Sequence, residues 1–165
     1  MLRWSLVALL LTAEPTPPVT RILIKKEAHT MDLYAGREVV ASYKVAIGPG
    51  GTGPKRKEGD MTTPVGRYKI VMHQPSQYKV FLRLDYPNAE DFRRFNEAKA
   101  RGELPKTARI GGDIGIHGPP VTVPSVAKPF LKLRDWTAGC IALNDDEISE
   151  VASLVRDGTP VDIED

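Results

Sequence analysis

Apolar and polar residues alternate with a period of two along most of the chain, the signature of strands that bury one face. Three such runs open it, at residues 21–27, 31–34 and 37–47, with breaks at Glu27-Ala28 and Ala35-Gly36. In the third, Val39, Ala41, Tyr43, Val45 and Ile47 fall on one face. GPGGTGPKRKEGD, rich in Gly and Pro, must then be a loop. Alternation returns at Val65–Met72, where Tyr68, Ile70 and Met72 oppose Arg67 and Lys69, and at Lys79–Leu84, where Val80, Leu82 and Leu84 oppose Lys79, Phe81 and Arg83. Ile110–Ile116, the short Cys140–Leu143 and Pro160–Ile163 complete the predicted strands.

The period changes twice. AEDFRRFNEAKARG, between Asn88 and Gly102, has acids early, bases late and a terminal Gly, which are helix start and stop signals. Asn144 with Glu147 reads as a capping box opening a second helix, with Ile148, Val151 and Leu154-Val155 as its buried face and an end near Gly158. The pattern predicts a mostly β domain with two short helices.

The N-terminus departs from this pattern. In MLRWSLVALLLTAEPTPP, positive charge precedes a run of ten nearly all apolar residues, Trp4–Ala13, and a Pro/Thr stretch follows. That is the order of an export signal, and the run is half of the roughly 20 residues that cross a bilayer. Residues 1–18 are therefore expected to be a signal peptide or N-terminal anchor plus linker, and residues 19–165 one domain with an ordinary core. No integral membrane domain is expected. The formal net charge of +2, with no block of five like charges, gives no case for a nucleic-acid partner. Three histidines and one cysteine, widely spread, match no common zinc spacing, so no metal is expected.

An exported protein meets an oxidising space in which cysteines usually pair. Cys140 is the only cysteine, so it cannot do so within the chain and is a candidate reactive thiol; a buried, inert thiol is the plainer reading. A thiol needs a neighbouring base or aligned amides to become a nucleophile. His29, His73 and His117 are the possible partners. His117 stands out because an apolar strand, Ile114-Gly115-Ile116, runs into it before Gly118 and two prolines turn the chain away. Thr137-Ala138-Gly139 before the cysteine are small enough for a tight turn whose N–H groups converge on an oxyanion.

"IHG" followed by "DWTAGCIAL" resembles the L,D-transpeptidase catalytic domain of bacterial cell-wall enzymes, also called the YkuD domain. "KEGDMTTPVGRYKI" is similar to that family's Gly-Asp-x-x-Thr-Pro-x-Gly-x-Tyr element, and "LRLDYPNAEDFRRF" with "GGDIGIHG" to the branch carrying a helical insertion before the histidine. The resemblance spans about Arg21 to the C-terminus. It implies a β-sandwich-like fold and a cysteine-dependent acyl transfer on peptidoglycan stem peptides, in the periplasm or cell envelope, with no cofactor. By resemblance Cys140 is the nucleophile and His117 its base. The Gly118 carbonyl orients the imidazole, and the amides of Ala138, Gly139 and Cys140 form the oxyanion hole. The thiolate would attack the carbonyl of the third stem residue, typically meso-diaminopimelate, and an amine would then take the acyl group to form a 3→3 cross-link.

Two positions depart from the family pattern. Ala138 stands where many members have His, and Ala142 and Asn144 occupy positions where Arg or Asn commonly follows the cysteine. The substrate carboxylate then needs another holder, for which Arg134, Arg109 and Lys128 are candidates. Thr137, Trp136 and Tyr78 are further candidate substrate-binding residues. For Trp136 and Tyr78 a packing role is the alternative, and Thr137 is equally a brace of the loop. His73, followed by Ser76, could edge the cleft. Arg93, Arg94, Lys99 and Arg101, like Lys55–Lys57, read as solvated surface. A monomer is expected. Two other classes remain open: a hydrolase or carboxypeptidase of diaminopimelate-linked peptides on the same scaffold, and a wall-binding module without catalysis.

Overall fold

The computed structural model describes residues 17–165; of the segment predicted as signal peptide or anchor plus linker, residues 1–18, all but the last two lie outside them. The described chain is mostly β. Strands β1 (Arg21–Lys25), β2 (Thr30–Ala35), β3 (Glu38–Lys44), β4 (Gly66–Ser76), β5 (Lys79–Leu84), β6 (Gly115–His117), β7 (Ile141–Ala142) and β8 (Pro160–Glu164) form one sheet. Its spatial order is β3-β2-β1-β8-β4-β5-β6-β7. Most neighbours are antiparallel, but β1 runs parallel to β8 and β6 parallel to β7. The long β4 belongs to both halves of the sheet: Gly66–Lys69 pair with β8 and Ile70–Ser76 with β5. The sheet curls into a half-barrel with its apolar face inside.

That inner face is what the alternation encodes. Ile22 and Ile24 of β1, Met31 and Leu33 of β2, Ile70, Leu82, Ile116 and Ile141 are fully buried, each contributing about 1.5–3 kcal/mol over exposure. The predicted alternation fails where the ladder is irregular. Met72 is 46 % exposed, because a register shift between Ile70 and Met72 breaks the period. Val39 is likewise exposed, at the start of the edge strand β3. Of Ile110–Ile116, predicted as strand, only the last part is extended and paired; residues 110–114 form irregular backbone.

Both predicted helices are present, α1 at Ala89–Ala100 and α2 at Asp145–Leu154. Asn88 caps α1 by accepting from the amides of Glu90 and Asp91, and the Glu147 carboxylate accepts the Asn144 N–H at the start of α2. The cationic face of α1 is solvated as expected, with Arg93 paired to Glu90 and Glu97. A 3₁₀ helix at Lys128–Leu133, not predicted, is tied to the first turn of α2 by the pairs Lys128–Asp145 and Lys132–Glu147.

The loop after β3 is anchored by a charge buried inside the fold. Lys26 is 1 % exposed, and its Nζ donates to the Gly53 carbonyl and to the Asp165 carboxylate, both at 2.8 Å. Lys26→Met is expected to lower stability by about 1–3 kcal/mol, since it leaves the Gly53 carbonyl without a donor. Urea unfolding monitored by tryptophan fluorescence measures this directly.

Candidate active site

Register places the histidine and the cysteine together. β6 and β7 run parallel with Ile116 opposite Ile141 and His117 opposite Ala142. Cys140 therefore continues the β7 line to the level of Gly115. Residues 115 and 117 share one face of their strand, so the imidazole and the thiol project to the same side. Both line one cleft of about 590 Å³. Gly115 is required there: a Cβ would stand 2.6 Å from the Leu82 carbonyl and the Phe81 ring.

His117 is buried, and its Nδ1 lies 2.6 Å from the Gly118 carbonyl. A carbonyl only accepts, so Nδ1 carries the proton and Nε2 presents its lone pair. The expected orienting role of Gly118 thus has its hydrogen bond. Gly118 also has no room for a side chain, because a Cβ would sit 2.9 Å from the Tyr78 carbonyl and 3.0 Å from Ile148 of α2. Three aromatic rings surround the imidazole. Tyr78 lies tilted at 4.3 Å, Phe81 stacked at 5.8 Å and Trp136 edge-on at 5.7 Å between centroids. Burial among them pushes the imidazole pKa below its ordinary value, against an upward pull from the Gly118 hydrogen bond.

The Cys140 thiol is half-buried and donates to the Asp113 carbonyl at 3.4 Å. Burial raises its pKa; the Gly115 amide pulls it down, Asp113 pushes it up, and Lys55 and Arg83 pull it down again. Both shifts work against a preformed thiolate–imidazolium pair.

The turn before Cys140 is held from both sides. Asp135 accepts the Ile47 N–H at 3.0 Å and also meets His29 Nε2, while the Ile47 carbonyl accepts from the amides of Trp136 and Thr137. Thr137 is buried; its hydroxyl donates to the Cys140 carbonyl at 2.7 Å and accepts from the Gly139 amide at 3.2 Å. The Thr137 hydroxyl is thus a brace within the turn, on a residue that also lines the cleft. It also accepts from the Gly139 amide, one of the three expected oxyanion donors. The amides of Ala138 and Cys140 make no hydrogen bond among the described residues.

Gly139 adopts φ +127°, and a Cβ there would come 2.7 Å from the Thr62 carbonyl. The "GDMTTP" element therefore works as the shelf under the turn. Asp60 shapes this shelf by accepting from Lys55 Nζ and from the amides of Arg56, Lys57 and Thr62. Burial alone would raise the Asp60 pKa, but these bonds outweigh it and hold the carboxyl below its ordinary value. Lys55, read from sequence as surface, is instead buried against Asp60. Gly139→Ala is expected to displace the turn that carries the Ala138 and Cys140 amides, lowering activity by about 10²-fold or more, the size of losing an oxyanion donor, and lowering the melting temperature as well. Turnover alongside thermal melting checks this.

None of the three cations proposed for the substrate carboxylate lines the cleft. Arg134 is exposed and borders a different cavity with His29 and Asp135. Arg109 pairs with Glu58 at 3.0 Å in an adjoining cleft. Lys128 pairs with Asp145 at 2.7 Å. The cation that does line the cleft is Arg83. The alternation set Phe81 and Arg83 on the face of their strand opposite Val80, Leu82 and Leu84. Their side of β5 is the cleft wall, so the alternation was right and its exterior is the site. Of the remaining candidates, Tyr78, Trp136, Thr137, Ala138 and Ser76 line the cleft, whereas His73 pairs with Asp157 elsewhere. No group of three or more His, Cys, Asp or Glu among the described residues is placed to hold a metal, and no helix among them is long and apolar enough to cross a membrane.

Residues 19–163 match the family model of the YkuD, L,D-transpeptidase catalytic domain. The chain is 31 % identical over 128 residues to YafK of Escherichia coli K12, named a candidate L,D-transpeptidase, covering 66 % of this chain and 49 % of that protein. Among solved structures, Pgp2 of Campylobacter jejuni, a helical cell shape determining protein, is similar at 25 % identity and TM-score 0.65 over 90 % of this chain and 48 % of that one. An L,D-transpeptidase of Enterococcus faecium shares the fold at 16 % identity and TM-score 0.54, over 89 % of this chain and 50 % of that one. The chain thus spans about half the length of these relatives.

Proposed function

The chain belongs to the L,D-transpeptidase catalytic-domain family, and on that premise we propose that it is an exported enzyme of the cell envelope that transfers acyl groups of peptidoglycan stem peptides through a thioester on Cys140. The observation that carries this reading is a single cleft lined by both His117 and Cys140, with His117 Nδ1 committed to Gly118.

His117 Nε2 takes the thiol proton as the sulfur attacks the donor carbonyl, forming a C–S bond. The carbonyl oxygen becomes an oxyanion and is met by the amides of Ala138 and Cys140. Collapse breaks the C–N bond; the imidazolium passes its proton to the leaving amine and returns to neutral. A second amine attacks the thioester carbonyl and gives up its proton to Nε2. The sulfur leaves and regains that proton, which restores the resting pair. Gly118 keeps Nδ1–H fixed throughout, so Nε2 is always the nitrogen that exchanges protons. Water in place of the second amine turns the same cycle into hydrolysis.

Product analysis of a stem tetrapeptide, with and without a second peptide as acceptor, tests the transfer. A cross-linked dimer with release of the terminal D-amino acid is the expected product. Release with tripeptide alone, at any acceptor concentration, would reassign the enzyme as a hydrolase. No turnover of either kind would leave a wall-binding module.

A further inference from the structure

Arg83 is the one Lys or Arg among the described residues lining the cleft, and its guanidinium is paired with the carboxylate of Asp113. Asp113 has two unusual features. Its φ of +55° is disfavoured for a residue with a Cβ, and its side chain is 81 % exposed although its backbone carbonyl receives the Cys140 thiol. The same residue therefore touches the nucleophile with its main chain and the cleft's cation with its side chain.

We propose that Arg83 and Asp113 together read a zwitterionic amino-acid head, a carboxylate and an ammonium on one carbon, borne by the side chain of the donor residue whose carbonyl is attacked. The proposal rests on the acyl-transfer reading above and adds the specificity of its donor site. An exposed Arg–Asp pair contributes little to stability, so it is easily exchanged. In the free enzyme Asp113 holds the guanidinium in place. When donor binds, its carboxylate takes over the planar, two-pronged face of Arg83, and its ammonium takes the released Asp113 carboxylate. One ion pair becomes two. A donor bearing only an ammonium meets Asp113 but strands Arg83, and an amidated donor does the same. The Arg83 guanidinium also lies over the Phe81 ring at 5.6 Å, and Phe81 stacks on His117. The anchor is therefore built onto the wall that carries the base.

The test uses three tetrapeptide donors that differ only at the third residue: meso-diaminopimelate, its side-chain carboxamide, and lysine. The wild type is expected to favour the first in kcat/KM by about 10- to 100-fold, the scale of a charge-assisted hydrogen-bonded pair. Arg83→Met is expected to bring the three within about threefold of one another. In the second variant, Asp113→Asn, measured also on a fourth donor, meso-diaminopimelate acetylated at its side-chain amine, discrimination between the free and the acetylated amine is expected to shrink. Alkylation of Cys140 by iodoacetamide is the control for a folded, open site. Equal wild-type rates on all three donors overturn the proposal, as does an Arg83→Met enzyme that slows equally on each. A wild type that alkylates normally but turns over no donor sinks the acyl-transfer reading, and the proposal with it.

Discussion

Cys140→Ala is expected to eliminate covalent labelling by a carbapenem and to lower turnover by about 10⁴- to 10⁶-fold, the loss seen when a covalent nucleophile is removed. Intact-protein mass spectrometry reads the first, and release of the terminal D-amino acid the second. The effect is large because no other group in the cleft can take over. Ser76 lines the same cleft, but its hydroxyl accepts the Tyr78 amide at 3.0 Å and a hydroxyl is a far weaker nucleophile than a thiol. The substitution removes only the sulfur from a half-buried position, so the fold should persist. An adduct of unchanged yield on the alanine variant would place the chemistry elsewhere and refute the assignment.

His117→Gln is expected to cost about 10²- to 10⁴-fold in turnover, the range for a positioned acid–base group, and to change the pH profile in a defined direction. Burial holds the imidazole below its ordinary pKa, so the neutral, proton-accepting form persists to lower pH. The acid limb of kcat/KM in the wild type should therefore lie below the ordinary imidazole value of about 6.5. Burial holds the thiol above its ordinary value, so the alkaline limb should lie above about 8.5. Between them stretches a plateau broader than two unperturbed groups would give. In the glutamine variant the acid limb should vanish, because the group that titrates there is gone. An acid limb that survives unchanged would assign that titration to another group.

The readable parts of the sequence were those in which one residue answers to one local constraint. Ile22 and Ile24, Asn88 and Asn144 declared buried faces and helix starts, because side-chain period and capping chemistry act within a few positions. The "TAGC" turn was legible for the same reason: its small residues have a local steric use. Less legible was anything decided by what packs opposite. Arg83 and Phe81 stood only as the face opposite Leu82 and Leu84, since alternation cannot tell what covers that face. Lys55 looked like one more loop cation, because Asp60 reaches it only when the loop closes. Arg134, Arg109 and Lys128 were plausible by charge, but their carboxylate partners or their placement away from the thiol appear only in three dimensions. The division of labour within the turn, with Gly139 N–H engaged by Thr137, is likewise a matter of hydrogen-bond geometry rather than residue type.

The position of β8 bears on how the two layers of the sheet are joined. This strand, Pro160–Glu164, pairs with β1 on one side and with β4 on the other. A strand that follows both His117 and Cys140 in the chain is thus the keystone of the sheet. Without it, the hairpin layer of β1–β3 and the layer that carries His117 and Cys140 lose the ladder they share, and the Ala46–Ala142 bridge is left to hold them together. Breaking the β8 pairing is therefore expected to loosen the cleft from a distance, since no residue of β8 lines it.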